Sequence, residues 1–264
     1  MMLGSIIQEP FSEYREKSKT HIGSHALADF RKCPALFFKK RQGLVPDEDR
    51  PAYQVGRGGH TLILEGRDAY EKAYAFGGPI NPKTGQPFGS GTKAYSEWAE
   101  KQGKPVLTAE QNALVVNLAN SVRSHSQASA LLSDGIPEAV ARVEYAGLLC
   151  QIRMDWFNPF SGIVDLKTCD DLTWFISDAK RYGYLYQLAF YRAVLAKVIN
   201  RVLPVHLLAV EKKEPFRCGL WLVPEQTLDY AQRENEAALA RLKECIESNS
   251  FPTGYEERRI FDSI

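Results

Sequence analysis

The residues with chemistry in them are Asp155 and the tripeptide Asp165-Leu-Lys167. Gln151 to Phe157 alternates well enough for a strand. Asn158-Pro-Phe-Ser-Gly162 has turn chemistry, and Ile163 to Thr168 is a short apolar strand ending in charge. Successive strand side chains point to opposite faces, so Asp165 and Lys167 project together while Leu166 points the other way, into a core. Asp155, on the neighbouring strand, can reach the same spot. Two carboxylates and one lysine from adjacent strands suit a hard divalent cation such as magnesium, which takes oxygen ligands and keeps several waters. Such an ion polarises a phosphoryl oxygen and lowers the pKa of a bound water. A lysine beside it orients that water and offsets charge developing in the transition state. The matching chemistry is phosphodiester hydrolysis. A solvated strand end carrying a surface ion pair is the other reading these residues allow.

The elements that must position this group follow from periodicity and punctuation. Residues 1–20 are polar and read as a partly ordered arm. Ser24 is a plausible N-cap for a helix through Arg31, and Pro34 starts a second one. Residues 43–52 form a loop. Val55 to Gly66 suggests a buried helix with His60 on its inner face, where glycines permit close approach of a neighbour; a lone histidine there is more often a core residue than a ligand. No Gly-Lys-Ser/Thr ends this run, so it is not a phosphate-binding loop. Residues 70–92 are a loop-rich insertion, and 93–102 a helix. Thr108 and Gln111 have capping-box spacing for a helix to about Leu132.

Glu138 to Glu144 reads as a strand that turns at Tyr145-Ala-Gly147 into the strand of Asp155, making a three-strand meander. A helix is expected over 176–200, with Tyr184, Gln187 and Tyr191 on one face. Strands at 202–211 and 216–223 and an amphipathic helix at 225–248 complete the chain. The expected class is α/β, or α+β, with a helical part over 21–132 and a core over 133–258.

A net charge of +1, from 33 basic and 32 acidic residues, does not announce a nucleic-acid binder. A local groove or a channel between subunits can still hold phosphates without a basic total. The five cysteines are scattered and include no Cys-x-x-Cys, which weakens zinc and redox readings. Their odd count fits reduced thiols in a cytosol. The N-terminus lacks the features of a signal peptide, and no run approaches the roughly 20 apolar residues of a membrane helix.

The order Gly56-Arg-Gly-Gly-His60, Glu138, Asp155, Asp165-Leu-Lys167 and Gln187-Leu-Ala-Phe-Tyr191 resembles the RecB-type branch of the PD-(D/E)xK nucleases, which have a restriction-endonuclease-like core with a central mixed sheet flanked by helices. Within it, Gly59-His-Thr-Leu-Ile-Leu-Glu65, the Ser24 helix before Cys33-Pro, Leu107-Thr-Ala-Glu110, Tyr182-Gly-Tyr184 and Phe251-Pro-Thr-Gly-Tyr255 are similar to RecE-type exonucleases and their phage relatives. The resemblance spans roughly residues 20 to 258.

It implies a Mg²⁺-dependent exonuclease, with Mn²⁺ a substitute, that degrades one strand of linear double-stranded DNA from its 5′ end. The product is a 3′ overhang for a RecT-like single-strand annealing protein. By position, Asp155 and Asp165 bind metal, helped by the Leu166 carbonyl and His60, and Lys167 positions the water. The supporting glutamate falls on Glu138, whose distance to Gly147 and Asp155 fits the family pattern, with Glu144 the alternative. Gln187 and Tyr191 contact the DNA backbone or brace the site. Arg57, Arg67, Lys180 and Arg181 are candidates for phosphate contacts. Family members form a toroidal tetramer, and some RecB-type nucleases carry an iron–sulfur cluster. Cys33 stands where the early cluster cysteine would, but Cys218 and Cys245 are single, so no cluster is expected.

Overall fold

The computed structural model describes residues 6–46 and 52–260. A six-stranded sheet organises it, in the order β1 (Ile6–Ile7), β4 (Ile136–Tyr145), β5 (Leu148–Asn158), β6 (Gly162–Cys169), β7 (Val205–Glu211), β8 (Cys218–Leu222). All neighbours are antiparallel except β6 and β7. These two central strands carry the near-continuous apolar runs that parallel strands need when both their faces are covered. The expected meander of β4, β5 and β6 is present. The turn from β5 to β6 is held by Asn158, whose Oδ1 accepts the amides of Phe160 at 2.7 Å and Ser161 at 2.8 Å, an Asx turn. A small parallel pair, β2 (Ala75–Phe76) with β3 (Val106–Leu107), stands apart.

Helices cover both faces. One core cluster joins Ile152, Met154 and Ile163 to α2 (Ser24–Lys32), α3 (Pro34–Arg41), α9 (Phe175–Arg181), α10 (Tyr184–Ile199) and α11 (Glu225–Ser248). Leu188 to Leu195 of α10 is buried without interruption, the pattern of a helix enclosed on every side. The other cluster packs Val164, Leu166, Leu208 and Val210 against α4 (Ala52–His60), α5 (Arg67–Ala73), α7 (Ala109–Ser124) and α8 (Ser126–Leu131). Helices α1 (Phe11–Lys17) and α6 (Lys93–Lys101) bury no residue. Among the described residues no helix is long and apolar enough to cross a membrane.

Several expectations change. The N-terminal arm starts, in its described part, with a strand of the sheet: Ile6 and Ile7 pair with Ala141 and Val140. Within the helical part, α2 and α3 lie in one core cluster and α4, α5, α7 and α8 in the other. The helix from Ala109 breaks at His125, whose Nδ1 accepts the Ala128 amide and caps α8. The helix expected over 176–200 divides at Tyr182-Gly183, since Gly183 is left-handed at φ 72°, a conformation that glycine adopts without a Cβ penalty. Gly23, not Ser24, caps α2. The capping box of Thr108 and Gln111 forms as expected. The loop expected over 43–52 falls largely outside the described residues.

Candidate active site

The site forms where β5 and β6 part. Their pairing runs from Asn158↔Gly162 to Trp156↔Val164 and stops; one step further it would set Asp155 opposite Asp165. Beyond that point the freed Leu166 amide donates to Asp155 Oδ2 at 2.7 Å. A buried backbone donor without a ladder partner is thus satisfied by the side chain that occupies the fork.

On the other flank of β5, register sets Glu138 opposite Asp155, between the paired steps Pro137↔Trp156 and Ala139↔Met154. Glu138 has φ 53°, an unfavourable conformation for a residue with a Cβ and one that collects at functional sites. At the same step the faces slip. Ile152 and Met154 pack in one core cluster, but Trp156 joins the other and Phe157 the first. Both strands slip together, so register survives and both carboxylates turn toward one place.

His60 arrives from the second face. Gly56 and Gly59 face Thr168, and a Cβ at Gly58 would come within 3.3 Å of Leu107 and Val115. The small residues therefore let α4 lie close to β6. A π-helical turn over Thr61–Glu65 follows directly, a feature frequent at functional sites. His60 Nδ1 lies 3.6 Å from Asp155 Oδ2. Donor atoms of His60, Glu138 and Asp155 all lie within 4.8 Å of one another. His60 is thereby in the ligand cluster and not simply a core residue.

Asp165 is fully buried and sits beside this trio with Lys167, whose Nζ makes an ion pair with Oδ2. Neither Asp165 oxygen accepts an aligned hydrogen bond. Oδ2 has Lys167, but Oδ1 has no partner among the described residues; a buried acceptor left alone is costly and fits a site made for a cation. The electrostatics agree. Burial, then the charge of Asp165, pushes Asp155 up to about 7. Burial and then Asp155 raise Glu138, against Arg153. Burial, then Lys167, lowers His60 and keeps the imidazole neutral, as a ligand must be. Burial alone would lower Lys167, but Asp165 and Asp155 outweigh it and hold the ammonium above its ordinary value. Three carboxylates crowded into a desolvated fork favour a divalent cation among them. The donor atoms of His60, Glu138 and Asp155 fit such an ion, with Asp165 beside them.

Glu138 therefore takes the place weighed between it and Glu144, which is exposed beside the hairpin turn opposite Leu149. Tyr191 is buried and bonded by Gln187 Nε2 at 3.0 Å. Burial first, then Tyr14, Asp165 and Asp155, raise its hydroxyl pKa. The Gln187–Tyr191 pair thus suits bracing of the site better than contact with DNA. Arg57 is exposed on α4, three residues before His60. Arg67 and Arg181 are exposed and paired with Glu71 and Asp178. Lys180 borders a surface groove with Gly183, Tyr186 and Tyr230.

Two supporting residues escaped the sequence reading. Arg153 Nε donates to Glu138 Oε2 at 2.6 Å, while its Nη1 donates to the Glu9 carbonyl at 3.1 Å. Its place two residues before Asp155 on one strand was the available signal. Tyr184 lays its ring 4.9 Å from Lys167 Nζ; its helical spacing with Gln187 and the Tyr182-Gly-Tyr184 motif were the available signals.

No curated protein matches the chain in sequence. Among solved structures, a provisionally named exonuclease from Eubacterium rectale superposes with a TM-score of 0.70 at 17% identity, covering 98% of this chain and 96% of that one. An alkaline exonuclease from Laribacter hongkongensis gives a TM-score of 0.31 at 14% identity over 60% of this chain and 84% of its own. The first likeness is one of fold. The family described as a PDDEXK-like domain of unknown function, DUF3799, matches residues 23–262. With its Asp155, Asp165-Leu-Lys167 fork on a mixed sheet, the chain belongs to this PDDEXK-like family.

Proposed function

We propose that the protein is a metal-dependent nuclease, and more narrowly an exodeoxyribonuclease that digests linear double-stranded DNA from the 5′ end. The observation that carries the nuclease reading is the gathering of His60, Glu138 and Asp155 within 4.8 Å, beside the Asp165–Lys167 pair. Exonuclease chemistry on duplex ends, 5′ polarity and a 3′ overhang product rest on the sequence resemblance to RecE-type enzymes. So do a toroidal tetramer, a single-strand annealing partner and a cytoplasmic location.

Asp155, Glu138, His60 and Asp165 would hold Mg²⁺ or Mn²⁺, with the Leu166 carbonyl on the same strand as a further donor. Bound there, the ion supplies positive charge to the scissile phosphate and acidifies a coordinated water. The chain's own groups do the rest. Lys167, kept protonated by Asp165 and Asp155, orients the attacking water and offsets charge building on the phosphate oxygens. Asp155 is fixed in direction by the Leu166 amide and Glu138 by Arg153, so neither has to be ordered when substrate arrives. Gln187 and Tyr191, bonded to each other on α10, would brace the site from that side. Arg57, Arg67, Lys180 and Arg181 are proposed phosphate contacts.

The test is a linear duplex labelled separately at each 5′ and 3′ end, digested with Mg²⁺, with EDTA and with Lys167→Ala. Metal-dependent release from the 5′ ends by the wild type alone supports the full reading. Internal cuts or release from 3′ ends keep the nuclease but replace its mode. Retention of intact duplex without cleavage would replace it with a DNA-end binding module.

A further inference from the structure

A short aromatic ladder climbs from the candidate active site to solvent. Its lowest rung is Tyr184, 4.9 Å from Lys167 Nζ. The Tyr184 ring lies tilted against that of Tyr182, with centroids 5.9 Å apart at 31°. Tyr182 is 59% exposed. The two rings come together because the residue between them, Gly183, is left-handed, folding the chain back between α9 and α10. Arg181 tops the ladder: its Cζ lies 4.6 Å from the Tyr182 ring, and its Nη2 donates to the Tyr182 hydroxyl at 2.6 Å. Asp178 pairs with the same guanidinium at 3.1 Å, which holds the group in place. Beyond Gly183 opens a groove of about 390 Å³ bordered by Lys180 and the exposed Tyr230.

Tyr182 is held at a fixed tilt, one ring away from Lys167, with the Arg181 guanidinium against it. Nucleobases stack on such rings with little regard to sequence, and neighbouring Arg and Lys side chains take the backbone charge. We propose that the ring of Tyr182, 59% exposed with the Arg181 guanidinium against it, is a stacking platform for the unpaired base next to the phosphate being cleaved, with Lys180 and Arg181 on the side of its backbone. The platform rests on the nuclease reading above. It gives a terminal base somewhere to go once it leaves its partner, and opening the end pair is an energetic demand on any enzyme that works at a duplex end.

The test uses the full chain in four forms: wild type, Tyr182→Phe, Tyr182→Leu and Tyr182→Ala. Each is assayed with Mg²⁺ on linear duplex oligonucleotides whose 5′-terminal nucleotide is either normal or abasic. Affinity for the same labelled oligonucleotides is measured in EDTA by anisotropy. Tyr182→Ala and Tyr182→Leu are expected to raise KM and Kd on normal ends by between several-fold and about a hundredfold, the worth of one stacked base. Tyr182→Phe is expected to match wild type. On abasic ends all four proteins are expected to converge. Equal values on normal ends, or the same loss on both kinds of end, would overturn the platform. Cleavage that proceeds without any base-dependent effect of Tyr182 removes the platform and leaves the nuclease standing. Failure of the wild type to cleave removes the nuclease, while the EDTA affinities still decide whether Tyr182 stacks a base.

Discussion

The Leu166 amide donates to the Asp155 carboxylate across the parted ends of β5 and β6. One carboxylate thus closes the fork in the sheet and presents its remaining lone pairs to His60 and Glu138. Asp155→Asn keeps an oxygen acceptor and the volume but loses the charge. The expected outcome is a native circular dichroism spectrum, loss of Mn²⁺ binding by calorimetry, and a fall in cleavage of roughly 10²-fold or more, the scale of losing a group that acts on developing charge.

Lys167 is held between Asp165 and the Tyr184 ring. Lys167→Met keeps most of the stem and removes the ammonium. Single-turnover cleavage is expected to fall about 10²- to 10³-fold, with DNA affinity in Ca²⁺ changed by less than about threefold, since one phosphate-facing charge among several carries little of the binding. A parallel loss of affinity and rate would show that Lys167 binds and does not assist the chemical step.

Arg153 neutralises Glu138 and ties it to the Glu9 backbone, over the rings of Phe11 and Tyr14. Arg153→Ala leaves a largely buried carboxylate without its donor, at a cost of about 1–3 kcal/mol in the metal-free protein. Glu138→Gln in the same chain should recover part of that loss. Urea denaturation of the two single variants and the double variant closes the cycle, and additive losses would show that the pair is not coupled.

Asp155 has its folded-state pKa raised to about 7, first by burial and then by Asp165. A raised folded pKa contributes stability below the unfolded value, near 4, and that contribution is lost as pH climbs through the folded value. The metal-free protein should therefore lose stability between about pH 4 and 7. Mg²⁺ competes with the proton for the same carboxylate, so its stabilising effect should grow over that window. Melting temperatures in EDTA and in Mg²⁺ across this range test both signs, and Asp155→Asn should flatten the EDTA profile.

Leu166 separates Asp165 from Lys167 and buries its side chain completely in the opposite core cluster. Leu166→Ala leaves its backbone donors and acceptors in place and opens a cavity between β6 and α4. A loss of about 2–5 kcal/mol by chemical denaturation is expected. Activity per folded molecule should fall as well if the position of α4, which brings His60, depends on this packing.

Local sequence determined the parts of this protein that depend on period and punctuation. Strand alternation placed Asp165 and Lys167 on one face and Leu166 on the other, and the Asn158 turn and the Thr108 capping box followed from side chains that bond their own backbone. The glycines before His60 announced a helix in close approach, though not its neighbour. Tertiary structure decided the rest, because those contacts join residues far apart in the chain. Glu138 and Glu144 lie on one strand and are alike in sequence; only pairing with β5 put Glu138 opposite Asp155. Glu9 reaches Arg142 across 133 positions, so an N-terminal stretch that reads as a polar arm is tied to the sheet. Arg153 and Tyr184 gained their places from what the fold set beside them, a neighbouring carboxylate and a buried ammonium. No periodicity within either segment encodes those partners.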